Sequence, residues 1–289
     1  MKKSQIIALL NQDLEGEHGA IIQYLTHVYA MGEGEMACEI EAIAREEMRH
    51  LDWLAETIVE LNGVPSLKRG EMRLGGEAVA DWMVNNVLQE DDAINLYREH
   101  IDAVDDPKIK RLLRRILSDE ESHHGDFQHF VDKVKKEGTR DLRGILNDKV
   151  TRTLNWAITH EYTVVLQYMF QSYMTDNIEA KKELEDQAIN EMQHLGWLAE
   201  KIIGIGSTLG IEHTDVDQST DTAEMLRVNI KIEHEVAAEY DRAAQEFEDP
   251  DLKQLLLRIR DHEAYHAEVF GDLLKKDNIR TLKSDGGIA

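Results

Sequence analysis

The sequence predicts an all-α protein made of two tandem four-helix bundles. Three observations carry that expectation. The chain repeats itself at an interval of about 144 residues. Apolar residues recur at three- and four-residue spacing, as in Leu54, Ile58 and Leu61, which is the period of a helix with one buried face. Only three prolines occur in 289 residues, whereas Leu, Ala, Glu, Lys and Arg, which cost a helix little, are abundant.

The repeat is plainest between residues 47–58, EMRHLDWLAETI, and 191–202, EMQHLGWLAEKI, which are identical at nine of twelve positions. The same offset of 144 pairs Glu17 with Glu161, Gln23 with Gln167 and Tyr24 with Tyr168. An offset of 143 pairs Glu90 with Glu233, Tyr97 with Tyr240, Asp106-Pro107 with Asp249-Pro250, Glu120 with Glu263 and His123 with His266. The expected domains are therefore 1–146 and 147–289. Both the length and the 42% apolar content suit two ordinary cores.

Each half reads as four helices, near 4–31, 36–61, 77–105 and 108–136, then 148–175, 178–203, 221–248 and 251–275. Gly32 and Gly34 break the first helix from the second. Asp106-Pro107 and Asp249-Pro250 are start signals, with Asp as the N-cap and Pro at the first helical position, where its missing N–H costs nothing. Short connections make helices one and two antiparallel, and likewise three and four. The longer link, 62–76 in the first half and 204–220 in the second, spans up to about 50 Å when extended. A helix of about 28 residues is roughly 40 Å long. The link can thus cross the bundle lengthwise, which gives the order up, down, down, up. A connection of about 11 residues between the halves predicts that the bundles lie antiparallel, as a covalent pseudo-dimer.

Composition excludes several roles. The formal net charge of −24 argues against nucleic acid, whose phosphates need basic patches. It also raises the local concentration of cations. No stretch of about 18 apolar residues occurs, so no membrane span is expected. The apolar run after Lys2 and Lys3 is broken at once by Asn11, Gln12 and Asp13, unlike a secretory signal. Cys38 is the lone cysteine, so no internal disulfide forms and a reducing cytoplasm is the expected location.

Six Glu-x-x-His pairs occur, and the repeat sorts them. Glu47/His50 recurs as Glu191/His194, and Glu120/His123 recurs as Glu263/His266. Glu15/His18 and Glu121/His124 do not recur and are expected to face solvent. Residues at i and i+3 share a helix face, so each recurring pair aims one carboxylate and one imidazole at one place. Helices one and three add one repeated Glu each, Glu17/Glu161 and Glu90/Glu233. Four Glu carry four negative charges, which two divalent ions neutralise; without ions, buried carboxylates would repel or take up protons. A Glu from each of two helices and a Glu-x-x-His from each of the other two is the ligand set of di-iron and di-manganese bundles. Zinc usually takes fewer carboxylates.

This pattern resembles bacterioferritin and the wider ferritin-like superfamily, twice over and across nearly the whole chain. The resemblance implies a ferroxidase: two Fe2+ per half, four per chain, oxidised by O2 or H2O2 to a bridged di-ferric state, with manganese as the alternative metal. It implies that Glu17, Glu90, Glu161 and Glu233 are terminal ligands. Glu47, Glu120, Glu191 and Glu263 would be bridges, and His50, His123, His194 and His266 the nitrogen ligands. Ala93 and Val236 stand where the rubrerythrin pattern would add a Glu. Tyr24 and Tyr168 match a bacterioferritin tyrosine that bonds a ligand carboxylate or supplies an electron; a satisfied core tyrosine is the other reading, as it is for Tyr97 and Tyr240. Met48 and Met192 match the methionine that holds haem b at a dimer interface, with simple packing as the alternative.

Bacterioferritin subunits end in a short fifth helix that helps build the 24-subunit cage; here the first half runs into a short linker and the second into a polar tail from Lys275, so cage assembly is not expected. A monomeric pseudo-dimer or a small homo-oligomer is expected instead. Three functions stay open: a ferroxidase for iron handling, a non-storage di-iron or di-manganese enzyme that removes peroxide or O2, and a scaffold that binds metal for stability. One turn before the imidazoles the halves differ, Glu46 against Asn190 and Asp119 against His262. A carboxylate behind an imidazole raises its basicity, so the two sites are expected to differ in iron affinity or redox behaviour.

Overall fold

A computed structural model describes residues 1–32, 34–76, 78–137, 148–207 and 209–285. The chain divides into two compact units, Met1–Gly144 and Ile145–Ala289. Unit 1 consists of α1 (Lys3–Met31), α2 (Glu35–Glu60), α3 (Val79–Ala103) and α4 (Pro107–Glu137). Unit 2 consists of α5 (Asp148–Met174), α6 (Ile178–Gly204), α7 (Thr222–Gln245) and α8 (Pro250–Asp285). The link at 138–147, on which the expected pairing of the bundles depends, lies outside the described residues, so each unit is described by itself.

The start signals behave as their chemistry requires. Asp106 Oδ1 accepts from the backbone N–H of Lys108 (2.8 Å) and Ile109 (3.1 Å), and Pro107 opens α4. Asp249 does the same for Asp251 and Leu252 ahead of Pro250. Gly32 closes α1 at a φ of 73°, where a side chain would strain the backbone. The polar tail expected after 275 is instead helical as far as Asp285. Residues 276–285, KDNIRTLKSD, contain no Gly or Pro to interrupt it.

Cross-helix bonds fix the directions in unit 1. From Gln23–Asn86 through Tyr24–Glu90 and Tyr97–Glu17 to His100–Asp13, α1 descends as α3 rises. His123–Glu46 and His50–Asp119 run α2 against α4 in the same way. With α1 and α2 antiparallel, the order is up, down, down, up.

The crossover is strapped along α1. Asn11 Nδ2 donates to Val64 O, Ser66 N to Asn11 Oδ1, Gly70 N to Glu15 O and Arg73 N to Gln23 Oε1. His18, expected to face water, is buried at 4% exposure with Nδ1 3.1 Å from Lys68 O. The strap covers it, which periodicity on one helix does not reveal. Unit 2 repeats the strap through Asn155–Gly210, Thr163–Thr214 and Gln167–Asp217.

A Cβ on Gly70 would lie 2.7 Å from Glu15 O and 3.2 Å from Gly16 Cα, both backbone atoms of α1 that cannot swing aside. Gly70→Ala is therefore expected to destabilise unit 1 by roughly 1–3 kcal/mol through overpacking. Urea unfolding checks this, and an unchanged midpoint would contradict it.

Apolar layers bracket the middle of each bundle. In unit 2, Leu154, Ile158, Leu198, Ile202, Leu252 and Leu256 pack on one side. Val164, Tyr168, Leu184, Leu226 and Phe270 pack on the other. Each fully buried large side chain contributes about 1.5–3 kcal/mol. Together they hold the polar side chains between them in a dry space.

Candidate metal centres

Between the apolar layers of unit 1, Glu17 on α1, Glu47 and His50 on α2, Glu90 on α3, and Glu120 and His123 on α4 meet at the bundle axis. None is more than 4% exposed. In unit 2, Glu161, Glu191, His194, Glu233, Glu263 and His266 do the same, at 1% exposure or less. Within each unit the structure thus brings together the six residues singled out by the repeat.

Their ligand atoms form two overlapping quartets in each unit. One contains Glu17, Glu47, His50 and Glu120; the other contains Glu47, Glu90, Glu120 and His123, with donor atoms all within 4.8 Å of one another. Glu47 and Glu120 belong to both, whereas each quartet has its own imidazole and its own outer carboxylate. Glu161, Glu191, His194 and Glu263, and Glu191, Glu233, Glu263 and His266, repeat this in unit 2.

His50 Nδ1 lies 2.8 Å from Glu47 and 2.9 Å from Glu120, and His123 Nδ1 lies 3.0 Å from Glu47. His194 Nδ1 lies 2.7 Å from Glu191 and 3.0 Å from Glu263, and His266 Nδ1 lies 2.8 Å from Glu191. Every imidazole therefore turns Nδ1 inward.

The tyrosines bond crosswise. Tyr24 on α1 donates to Glu90 Oε1 on α3, and Tyr97 on α3 donates to Glu17 Oε1 on α1. Tyr168–Glu233 and Tyr240–Glu161 are the equivalents. Each hydroxyl takes one oxygen of an outer carboxylate and leaves the second for the cluster. Met48 and Met192 sit half-buried on α2 and α6, apart from these clusters.

The electrostatics show what the clusters lack. Burial, with the charge of Glu47 next, raises Glu17 to about 8. Burial and the neighbouring carboxylates hold Glu90, Glu120, Glu161 and Glu233 well above the ordinary range. Burial opposes charge on the imidazoles too, but bonds to surrounding carboxylates outweigh it. His123 and His266 rise to about 9, His194 to about 12, and His50 also lies far above its usual value. Burial would likewise raise Glu47, yet bonds from His123 and His50 hold it at about 2. Without metal, protons neutralise these clusters.

The short imidazole–carboxylate contacts do not satisfy every inward atom: Glu90 Oε2 and Glu233 Oε2 are buried with no hydrogen-bond partner, and Glu47 Oε1, Glu120 Oε1 and His123 Nδ1 have ion-pair contacts but no well-aligned hydrogen bond. Buried acceptors left in this state are costly. Three carboxylates and one imidazole per quartet form a hard, mixed O/N donor set that suits Fe2+ or Mn2+. The residues fit a pair of such ions.

Some neighbours of the clusters do not repeat and so escaped sequence reasoning. His160, beside Glu161, is half-buried with its Nε2 shielded from solvent, which lowers its pKa, and it stacks on Trp156, whose ring meets the edge of Tyr240 at 5.5 Å. Gly16 and Gln12 occupy those positions in unit 1. Unit 1 instead buries an Asp13–His100 pair at 2.6 Å, which raises Asp13 to about 6 by burial, where unit 2 has Ala157 and Ala243. Comparing the halves keeps what recurs and discards such pairs.

No helix among the described residues is long and apolar enough to cross a membrane. A bacterioferritin from Desulfovibrio desulfuricans is 30% identical over 150 residues, covering 50% of this chain and 84% of that protein. A Rhodobacter capsulatus bacterioferritin is 32% identical over 126 residues, covering 42% and 78% respectively. A probable manganese catalase from Clostridium acetobutylicum is 26% identical over 176 residues, covering 50% and 78%. Among solved structures, the D. desulfuricans bacterioferritin aligns with a TM-score of 0.45 at 31% identity, over 46% of this chain and 81% of that one. The model of the ferritin-like domain matches residues 7–136 and again 151–279. With both halves matched, the chain belongs to the ferritin-like family and carries its domain twice.

Proposed function

We propose that each unit binds two Fe2+ ions as substrate and oxidises them with O2 or H2O2, so that the chain is a ferroxidase serving iron handling or detoxification. The observation that carries this reading is the sharing of Glu47 and Glu120, and of Glu191 and Glu263, by two quartets that each own one imidazole and one outer carboxylate. The shared residues would bridge a metal pair. Glu17, Glu90, Glu161 and Glu233 would be terminal ligands, and His50, His123, His194 and His266 the nitrogen ligands. An iron pair held there supplies two electrons to one oxidant molecule.

The protein's own groups do the rest. Tyr24, Tyr97 and their equivalents hold the outer carboxylates, and the apolar layers keep bulk water away. On this reading Tyr24 and Tyr168 would also give an electron to the oxidant, passing the hydroxyl proton to the carboxylate they bond. The imidazoles give up their protons as cations arrive. Likeness to a probable manganese catalase supports a second reading, manganese with peroxide as substrate.

Anaerobic Fe2+ addition followed by stopped-flow mixing tests the first reading. Saturation near four Fe2+ per chain, and rapid absorbance growth with one of the two oxidants, are expected. Inert iron with catalase turnover in Mn2+-loaded protein would transfer the assignment to the second reading. A Soret band in protein grown with iron would report the haem b expected at Met48 and Met192.

A further inference from the structure

The two centres share their inner atoms but not what stands behind them. In unit 1 both imidazoles turn Nε2 onto a carboxylate. His123 Nε2 lies 3.0 Å from Glu46 Oε2, and His50 Nε2 lies 3.4 Å from Asp119 Oδ2. Each acid is anchored from outside, Glu46 by Arg49 at 2.9 Å and Asp119 by Arg115 at 3.0 Å.

In unit 2 the corresponding residues differ and bond elsewhere. Asn190 replaces Glu46 and Gln193 replaces Arg49, and the Asn190 amide turns along its own helix to Gln187. His262 replaces Asp119, and its Nδ1 lies 2.9 Å from His194 Nε2. Arg258, at the position of Arg115, lies over the Trp197 ring at 3.9 Å.

The consequence follows from donor chemistry. An imidazole that gives its Nε2–H to a carboxylate is a more basic ligand at Nδ1, and losing such an outer partner typically costs about 10–100-fold in metal affinity. His262 gives His194 a neutral acceptor at best. In the opposite tautomer pairing, His262 donates to Nε2 and His194 Nδ1 carries the proton, which blocks ligation. Glu46 and Asp119 also leave two anionic groups beside the unit 1 centre where unit 2 has a neutral amide and an imidazole.

We infer that Glu46, Asp119 and His262 are positioning residues that make the centres unequal. Unit 1 fills first with divalent metal, and unit 2 fills only at metal concentrations about tenfold or more higher. This rests on the reading of the twelve side chains as metal ligands.

Anaerobic titration of the full chain with Co2+, followed by its visible absorption bands, tests it. Wild type is expected to fill in two phases of two ions each, separated by about tenfold or more in concentration. Glu46→Asn with Asp119→His should move the early phase onto the late one. Asn190→Glu with His262→Asp should move the late phase towards the early one, a gain that misfolding cannot produce. The pH at which Co2+ enters each unit should move with each swap. A single phase of four equivalent ions, or two phases that neither swap moves, would overturn the inference. Absence of Co2+ binding in both units would remove the ligand assignment itself, and this inference with it.

Discussion

Glu47→Ala is expected to empty both metal positions of unit 1, so that anaerobic Fe2+ binding saturates near two ions per chain instead of four. The reason is geometric. Glu47 belongs to both quartets, whereas Glu17 and Glu90 belong to one each. Removing it takes a donor from each position, and it takes one negative charge from a cluster that needs four to balance two divalent ions. Outer partners of metal ligands are typically worth 10–100-fold in affinity, so a ligand shared by two ions should cost at least ~100-fold at each. Glu17→Ala should be milder and leave the Glu90–His123 position populated. Glu191→Ala should empty unit 2 alone. If Glu47→Ala still took up four ions, or behaved like Glu17→Ala, the shared role would be wrong.

Chelating the metal should lower the melting temperature by roughly 10–20 °C near neutral pH. Each ion at a hundred times its dissociation constant contributes about 2.7 kcal/mol to the folded state, so two give about 5 kcal/mol per unit. A unit of this size moves roughly 2–4 °C per kcal/mol. The size of the drop should depend on pH, and its sign can be worked out. Glu17 at about 8, and His123 and His266 at about 9, bind protons more tightly in the folded protein than in the unfolded chain. The stability these protons give the metal-free form is complete below the unfolded value of each group. It is lost as pH rises through about 8 to 9. Metal competes for the same atoms, so its affinity rises over that window and binding releases protons. Chelated and loaded protein should therefore melt further apart at pH 9 than at pH 6.5. Paired melting curves check this, and a gap that narrows with pH would contradict it.

The sequence made the bundles and the inner clusters legible for one reason, the tandem duplication. A single Glu-x-x-His pair in an acidic helix means little, but a pair that returns 144 residues later has been kept twice. That filter separated Glu47/His50 from Glu15/His18. The same filter hid whatever differs between the units. Asp13–His100 and Trp156–His160 have no counterparts, and only proximity in three dimensions shows that they adjoin the clusters. His18 was misplaced because the strap that buries it comes from residues 50 positions away. The end of α8 lies beyond the expected 275 because the polar run 276–285 holds no Gly or Pro to stop a helix.

The crosswise tyrosine bonds couple backbone spacing to chemistry. Because α1 holds the carboxylate of α3 while α3 holds that of α1, neither helix can shift along or away from the other without disturbing both outer donors. The interval between these two helices therefore works as a single mechanical setting for both quartets of ligand atoms. A packing change in the core around Tyr24 and Phe127, which touches none of the twelve side chains by substitution, would retune the pair in concert instead of one member at a time.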